Sequence, residues 1–274
     1  MSWNPAHIPL LLHLSSRRMT VGLIALTLFV GNTSAQFTDV TAEAGVDFLH
    51  GTLATPIPSS PLYYAGGIAV TDLNNDGWLD LFVSRLNGGN LMFINQGDGT
   101  FLDEAGSRGL SGPANSNGAV FADIDNDGDA DLLLTVIDSP RYYTYLNQGD
   151  GTFVEQAELR AIATTDAVQP HAGMSVTAGD YDRDGYLDLH FNDHYLNTSG
   201  INPLTHSVLL RNRGTAHPGF FNNVTATAGV GLADLDANRQ FAFASFFSDF
   251  DADGWPDLAI ASDLNTSKLV WNNG

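Results

Sequence analysis

One nine-residue phrase, D-x-[DN]-x-D-G-x-x-D, occurs four times: DLNNDGWLD from Asp72, DIDNDGDAD from Asp123, DYDRDGYLD from Asp180 and DFDADGWPD from Asp249. Five fixed positions in four copies lie far beyond composition bias. The offsets between copies, 51, 57 and 69 residues, are those of whole structural units repeating. Any fold proposed for the chain must therefore hold an acidic loop once per unit.

The flanks repeat with the loops. Leu81 and Val83, Leu132 and Leu134, Leu189 and Phe191, and Leu258 and Ile260 follow the four loops at the period of two that marks a strand. Five residues before each loop stands a small residue, Gly67, Gly118, Ser175 or Ala244, which predicts close backbone packing there. The stretches LMFINQGDGTF (91–101) and YLNQGDGTF (145–153) read as strand, tight turn and strand, and LLRNRGTAHPGF (209–220) is the third unit's variant. FTDVTAEAGV (37–46) and FNNVTATAGV (221–230) nearly repeat one another. Each unit thus predicts four antiparallel strands in about 50 to 70 residues, the size of a β-propeller blade.

Within a loop, carboxylates or an amide at positions 1, 3, 5 and 9 and a glycine at 6 let the chain turn sharply, with the carbonyl of position 7 directed inward. Hard oxygen donors in that order suit Ca²⁺ better than Mg²⁺, which keeps its own water and a strict octahedron. The expected ligands are Asp72, Asn74, Asp76, Trp78 and Asp80; Asp123, Asp125, Asp127, Asp129 and Asp131; Asp180, Asp182, Asp184, Tyr186 and Asp188; and Asp249, Asp251, Asp253, Trp255 and Asp257, for up to four calcium ions. Trp78, Asp129, Tyr186 and Trp255 would contribute position-7 carbonyls. An EF-hand would need a bidentate Glu at position 12 and flanking helices, which these strand-flanked loops lack.

Composition narrows the function classes. The 31 acidic residues divide into 27 Asp and 4 Glu, a bias toward turns and tight oxygen-ligand loops rather than a generally acidified surface. With 11 basic residues, phosphate neutralisation has almost no means, so nucleic-acid binding is set aside. The absence of cysteine excludes a disulfide scaffold, a thiolate nucleophile and cysteine-based zinc sites.

At the N-terminus Arg17 and Arg18 precede the apolar run VGLIALTLFV (21–30) and the small residues of GNTSA, ending at Ala35. That order predicts an export signal over residues 1–35, since ten apolar residues are too few to cross about 30 Å of hydrocarbon. The expectation is a secreted protein, extracellular or periplasmic, with no membrane span after cleavage. Residues 36–274 then carry 31 acids against 9 bases, a net charge of −22 that a bound cation would offset.

These loops and strands resemble the FG-GAP or VCBS repeat, the calcium-loop blade of integrin α-subunit propellers. HAGMSVTAGDYDRDGYLDL and FTDVTAEAGV resemble the cartilage acidic protein and ASPIC/UnbV group of secreted proteins. The resemblance covers nearly all of residues 36–274. It implies an all-β, extracellular β-propeller with a metal between a blade's first two strands. Two departures stand out: Asn74 replaces Asp at position 3 of the first loop, which predicts a weaker site, and no ASPIC-like domain follows the blades. The last unit stops at KLVWNNG, without the strand that GDGTF leads into elsewhere, so about four blades of an incomplete ring are expected, as an N-terminal fragment of a larger propeller; the alternative is that FTDV (37–40) completes the last blade and closes a four-bladed ring.

Every strong motif serves architecture, which points to a non-catalytic scaffold for a protein or glycan ligand. The alternative is a hydrolase or lyase on the same frame. LHFNDHY (189–195) places His190, Asp193 and His194 close together in sequence, with His50, His171 and His206 as further candidates. No nucleophile motif such as G-x-S-x-G accompanies them.

Overall fold

The computed structural model describes residues 36–51, 66–165, 170–195, 207–231, 240–263 and 267–274. The expected export signal and His206 lie outside the described residues. Residues 1–39 and 40–274 are two compact units, and the strands below all belong to the second. No helix among the described residues is long and apolar enough to cross a membrane.

The chain is all-β and built of antiparallel β-propeller blades, three of them four-stranded among the described residues. In the first, β1 (Ile68–Thr71), β2 (Asp80–Val83), β3 (Leu91–Asn95) and β4 (Phe101–Asp103) pair in chain order. The second consists of β5 (Ser116–Ala122), β6 (Asp131–Ser139), β7 (Tyr143–Asn147) and β8 (Phe153–Glu155). The third has β9 (His171–Gly179), β10 (Asp188–Tyr195), β11 (Val208–Asn212) and β12 (Phe221–Asn223). The fourth has β13 (Gln240–Ser248), β14 (Asp257–Ser262) and β15 (Lys268–Val270). Each acidic loop joins a blade's first two strands, as expected. The Gly-rich turns close the β3–β4 and β7–β8 hairpins, with Gln96 N–H donating to Thr100 O and Gln148 N–H to Thr152 O, both at 2.9 Å.

Both faces of the second and third blades are apolar because each meets a neighbouring blade. Phe82 and Met92 of the first pack with Leu132, Leu134 and Tyr145 of the second. Leu133, one residue out of phase, turns the other way onto Leu189, Phe191, Val208 and Leu210 of the third. Leu209 likewise faces Leu258 and Ile260 of the fourth. The period of two therefore sorts residues between two seams rather than between core and solvent. Two ladders also cross seams: β6 pairs β9 at Ile137↔Ala172, and β10 pairs β13 at His194↔Phe241.

The small residues of the first strands stand where neighbouring blades approach. A Cβ on Gly118 would lie 2.6 Å from Ser175 Cα and 2.7 Å from Met174 O, so glycine there is required by space. Ser84 Oγ donates to Asn117 O at 2.8 Å, and Thr135 Oγ1 donates to Gly173 O at 3.1 Å, so the second strands of the first two blades bind the next blade's first strand.

A turn after each fourth strand carries the chain onward, closed by Leu110 N–H on Ala105 O, Ile162 N–H on Ala157 O and Val230 N–H on Thr225 O. Residues 41–46 form the same turn, with Val46 N–H on Thr41 O. The likeness of residues 37–46 to 221–230 is thus a shared turn, and residues 36–40 themselves are not strand. The first three of these turns in chain order each accept a bond from the next fourth strand: Phe101 N–H donates to Ala44 O, Phe153 N–H to Arg108 O and Phe221 N–H to Arg160 O. Among the described residues β15 pairs with β14 alone, and a cavity of about 470 Å³ lined by Val224, Val230, Phe247, Val270 and Trp271 adjoins it.

Candidate metal centres

All four acidic loops share one main-chain conformation. Gly77, Gly128, Gly185 and Gly254 at position 6 have φ of 89°, 96°, 90° and 94°, values that favour glycine. Position 4 is left-handed too, at Asn75, Asn126, Arg183 and Ala252 (φ 57–64°), a demand the variable residue types there conceal.

This conformation turns main-chain donors onto the carboxylates. Asp123 accepts from Asp127 N–H at 3.2 Å and Gly128 N–H at 3.0 Å, and Asp180 from Asp184 and Gly185 N–H, both at 3.0 Å. Asp72 and Asp249 do the same in the first and fourth loops. The position-5 carboxylate accepts from the position-7 N–H in every loop, as in Asp76 from Trp78 and Asp253 from Trp255 at 2.8 Å.

Position 9 differs. Asp80, Asp131, Asp188 and Asp257 begin the second strands and are fully buried, at 0% exposure. One oxygen of each accepts from the position-2 N–H: Leu73, Ile124, Tyr181 or Phe250. The other accepts from the N–H of an asparagine at or just past the end of the third strand: Asn95, Asn147, Asn212 or Asn272, at 2.8–3.0 Å. Burial pushes the carboxyls of Asp131 and Asp188 up to about 7, against the pull of these amide bonds, and raises that of Asp80 as well.

Three loops bring three carboxylates together. Oxygens of Asp123, Asp125 and Asp127, of Asp180, Asp182 and Asp188, and of Asp249, Asp251 and Asp257 lie within 4.8 Å of one another. The first loop makes no such triple among the described residues; there Asn74 Nδ2 donates to Asp76 Oδ2 at 2.9 Å. Among these same aspartates, Asp125 Oδ1 and Asp182 Oδ1 are buried and accept no hydrogen bond. Hard oxygen donors, several converging and two without partners, fit a divalent cation of the calcium type. Asp129 belongs to none of the triples; its N–H donates to Asp127.

The histidine candidates separate. Asp193 Oδ2 takes His171 Nδ1 at 2.7 Å and the Tyr142 hydroxyl at 2.9 Å, and its Oδ1 accepts from Ala172 N–H. All three side chains are buried at the seam of the second and third blades, where Tyr142 also stacks on Phe191 with centroids 4.5 Å apart. His190 instead meets Ser245 Oγ at 2.9 Å, and burial lowers it to about 3, so its ring is neutral. His194 lies 3.7 Å from Asp263 and against Phe243. His190, Asp193 and His194 are thus neighbours in sequence with different partners in space, and His50 is half-buried beside Gly66.

Sequence reading passed over two sets of residues. The four asparagines bonded to position 9 recur in every unit, a visible signal blurred by their varied distance from the acidic loop. Arg211 carries no repeat signal, and Arg160 has a counterpart in Arg108, which pairs with Glu104 instead of an acidic loop. Arg160 reaches Asp125 Oδ2 at 3.1 Å, and Arg211 donates from Nε to Asp182 Oδ2 and lies 3.8 Å from Asp184.

A family model described as FG-GAP-like repeat matches residues 72–134 and 133–191, which hold the first three loops; the unmatched fourth makes the same bonds. Cartilage acidic protein 1 of Mus musculus is 29% identical over 225 residues, 81% of this chain and 30% of that protein. The protein of the same name in Xenopus tropicalis is 34% identical over 134 residues, 47% of this chain and 20% of its own. The chain spans less than a third of these relatives. A solved structure of an Agrocybe aegerita lectin, described as recognising non-reducing terminal N-acetylglucosamine, has a TM-score of 0.44 at 17% identity, covering 77% of this chain and 50% of that chain.

Proposed function

Because the chain carries FG-GAP-like repeats, we propose that it is an exported, calcium-loaded propeller scaffold that binds a protein or glycan without transforming it. The observation that carries the calcium reading is the convergence of three carboxylates within 4.8 Å in three separate loops, with Asp125 Oδ1 and Asp182 Oδ1 unpartnered. A solvated acidic turn has no reason to repeat that convergence in loops 57 and 69 residues apart.

Calcium would supply charge and cross-linking. Each loop ties its blade's first strand to its second, and position 9 ties both to the end of the third through the asparagine N–H. A cation there would hold the loop closed against the mutual repulsion of its aspartates. Export is supported by the signal-like order of residues 17–35 and by the net charge of −22 that follows it. The binding role is supported by the relatives' repeats and by the separate engagement of His190, Asp193 and His194.

Native mass spectrometry of the metal-stripped chain titrated with calcium tests the metal; three or four bound ions are expected, and none would overturn the reading. Arrays of glycans and matrix proteins, probed with calcium and with chelator, test the partner class. Binding lost in chelator is expected. Turnover of any captured ligand would overturn the non-catalytic role.

A further inference from the structure

We propose that Arg211, and Arg160 in the neighbouring blade, are built-in counter-cations that weaken calcium binding at the third and second loops while keeping those loops folded without it. The proposal rests on the calcium reading above and concerns what sets affinity from loop to loop.

The two arginines come from unrelated places. Arg211 lies on β11, and Arg160 lies in the turn after β8. Both arrive at position 3 of an acidic loop and take the same atom, Oδ2, of Asp182 and Asp125 respectively. In both cases Oδ1 of that aspartate is left buried and without a partner. The guanidinium therefore leaves that oxygen open to a cation. It acts through charge, offsetting one of the four aspartates at positions 1, 3, 5 and 9.

The other loops differ. In the first, the Asn74 amide already removes a charge and donates to Asp76. In the fourth, no basic side chain among the described residues forms an ion pair with Asp249, Asp251, Asp253 or Asp257; Arg183 lies instead over the Trp255 ring, 5.1 Å from its centroid. Calcium affinity in oxygen-ligand loops follows ligand charge and rigidity. A fixed positive charge beside the ligands opposes the incoming dication and also steadies the loop in its absence. The second and third loops then depend least on the metal for their fold.

The test is calorimetric titration of the full, metal-stripped chain with calcium, comparing wild type with Arg211→Gln and Arg211→Lys. Asp184→Ala identifies the third-loop step by removing it. Arg211 has a half-exposed side chain, and a partly exposed pair of this kind shifts affinity roughly two- to fivefold. Arg211→Gln should tighten the third-loop step by about that factor and lower the melting temperature in chelator. Arg211→Lys should behave as wild type, since it keeps the charge and loses only the planar fork. An unchanged or weaker step in Arg211→Gln, or a lysine variant that follows the glutamine one, would overturn the proposal and assign the arginine an orienting role. Absence of any calcium binding by wild type would instead overturn the metal reading beneath it. Arg160→Gln repeats the test at the second loop.

Discussion

The main-chain N–H of Asn147 donates to Asp131 Oδ1 at 3.0 Å, so the end of β7 is fastened to the acidic loop through a fully buried carboxylate. Its other oxygen accepts from Ile124 N–H at 3.2 Å. Asp131→Ala should strip both donors of their acceptor, at a cost of about 1–3 kcal/mol for each one left buried and unsatisfied. The melting temperature should fall in calcium and in chelator alike. Asp127→Ala, at an exposed position, should lower it mainly in calcium, by removing a ligand. Equal losses for the two variants in chelator would refute this division.

Calcium should raise thermal stability overall. A ligand at a hundredfold excess over its dissociation constant adds about 2.7 kcal/mol per site that exists only in the folded state. Chelator should therefore lower the melting temperature substantially, and an unchanged curve would sink the idea. Among the sites, Asn74→Asp should tighten the first loop, because it restores the carboxylate the other three have at position 3. Calorimetry that found four equivalent sites in wild type would contradict that ordering.

The buried carboxyls set a pH dependence whose sign is opposite in the two forms. Asp131 and Asp188 are held at about 7 in the folded chain by burial, above the ordinary 3.8. A raised folded-state value means that their contribution is fully present below about 3.8 and is lost as pH rises through 7. The metal-free protein should accordingly lose melting temperature between pH 5 and pH 8, by about that span of the titration. Calcium needs the ionised form, so its stabilisation should grow over the same window and its binding should release protons. A metal-free melting temperature that rises from pH 5 to pH 8 would count against both statements.

Close approach at the blade seams should make their glycines intolerant. Gly118→Val would drive its Cβ to within 2.7 Å of Met174 O and Ser175 Cα, contacts with main chain that no rotamer relieves. Overpacking of this kind costs about 1–3 kcal/mol. Urea denaturation should show that loss, whereas Gly128→Ala, whose Cβ meets nothing within 4 Å, should lose only the smaller cost of its φ of 96°. Comparable losses would mean that the seam can open to accept a side chain.

The local chemistry of this protein was written in its residue order. Asp-x-[Asp/Asn]-x-Asp-Gly fixes a loop whose aspartates bond the amides four and five residues on, and the alternation after each loop fixes a strand, because both are short-range consequences of main-chain geometry. Asp103, Glu155 and Asn223 start the turn that leaves each fourth strand, accepting from Ala105, Ala157 and Thr225 N–H, and each lies two residues away in sequence. What the residue order could not decide is which elements meet once blades stack. Arg211 finds Asp182 across 29 residues, His171 finds Asp193 rather than His190 or His194, and Leu133 faces a different neighbour from Leu132. Those choices depend on which face of a strand each seam receives. Only the packing of one twisted sheet on the next supplies that information, and with it the charge around each acidic loop.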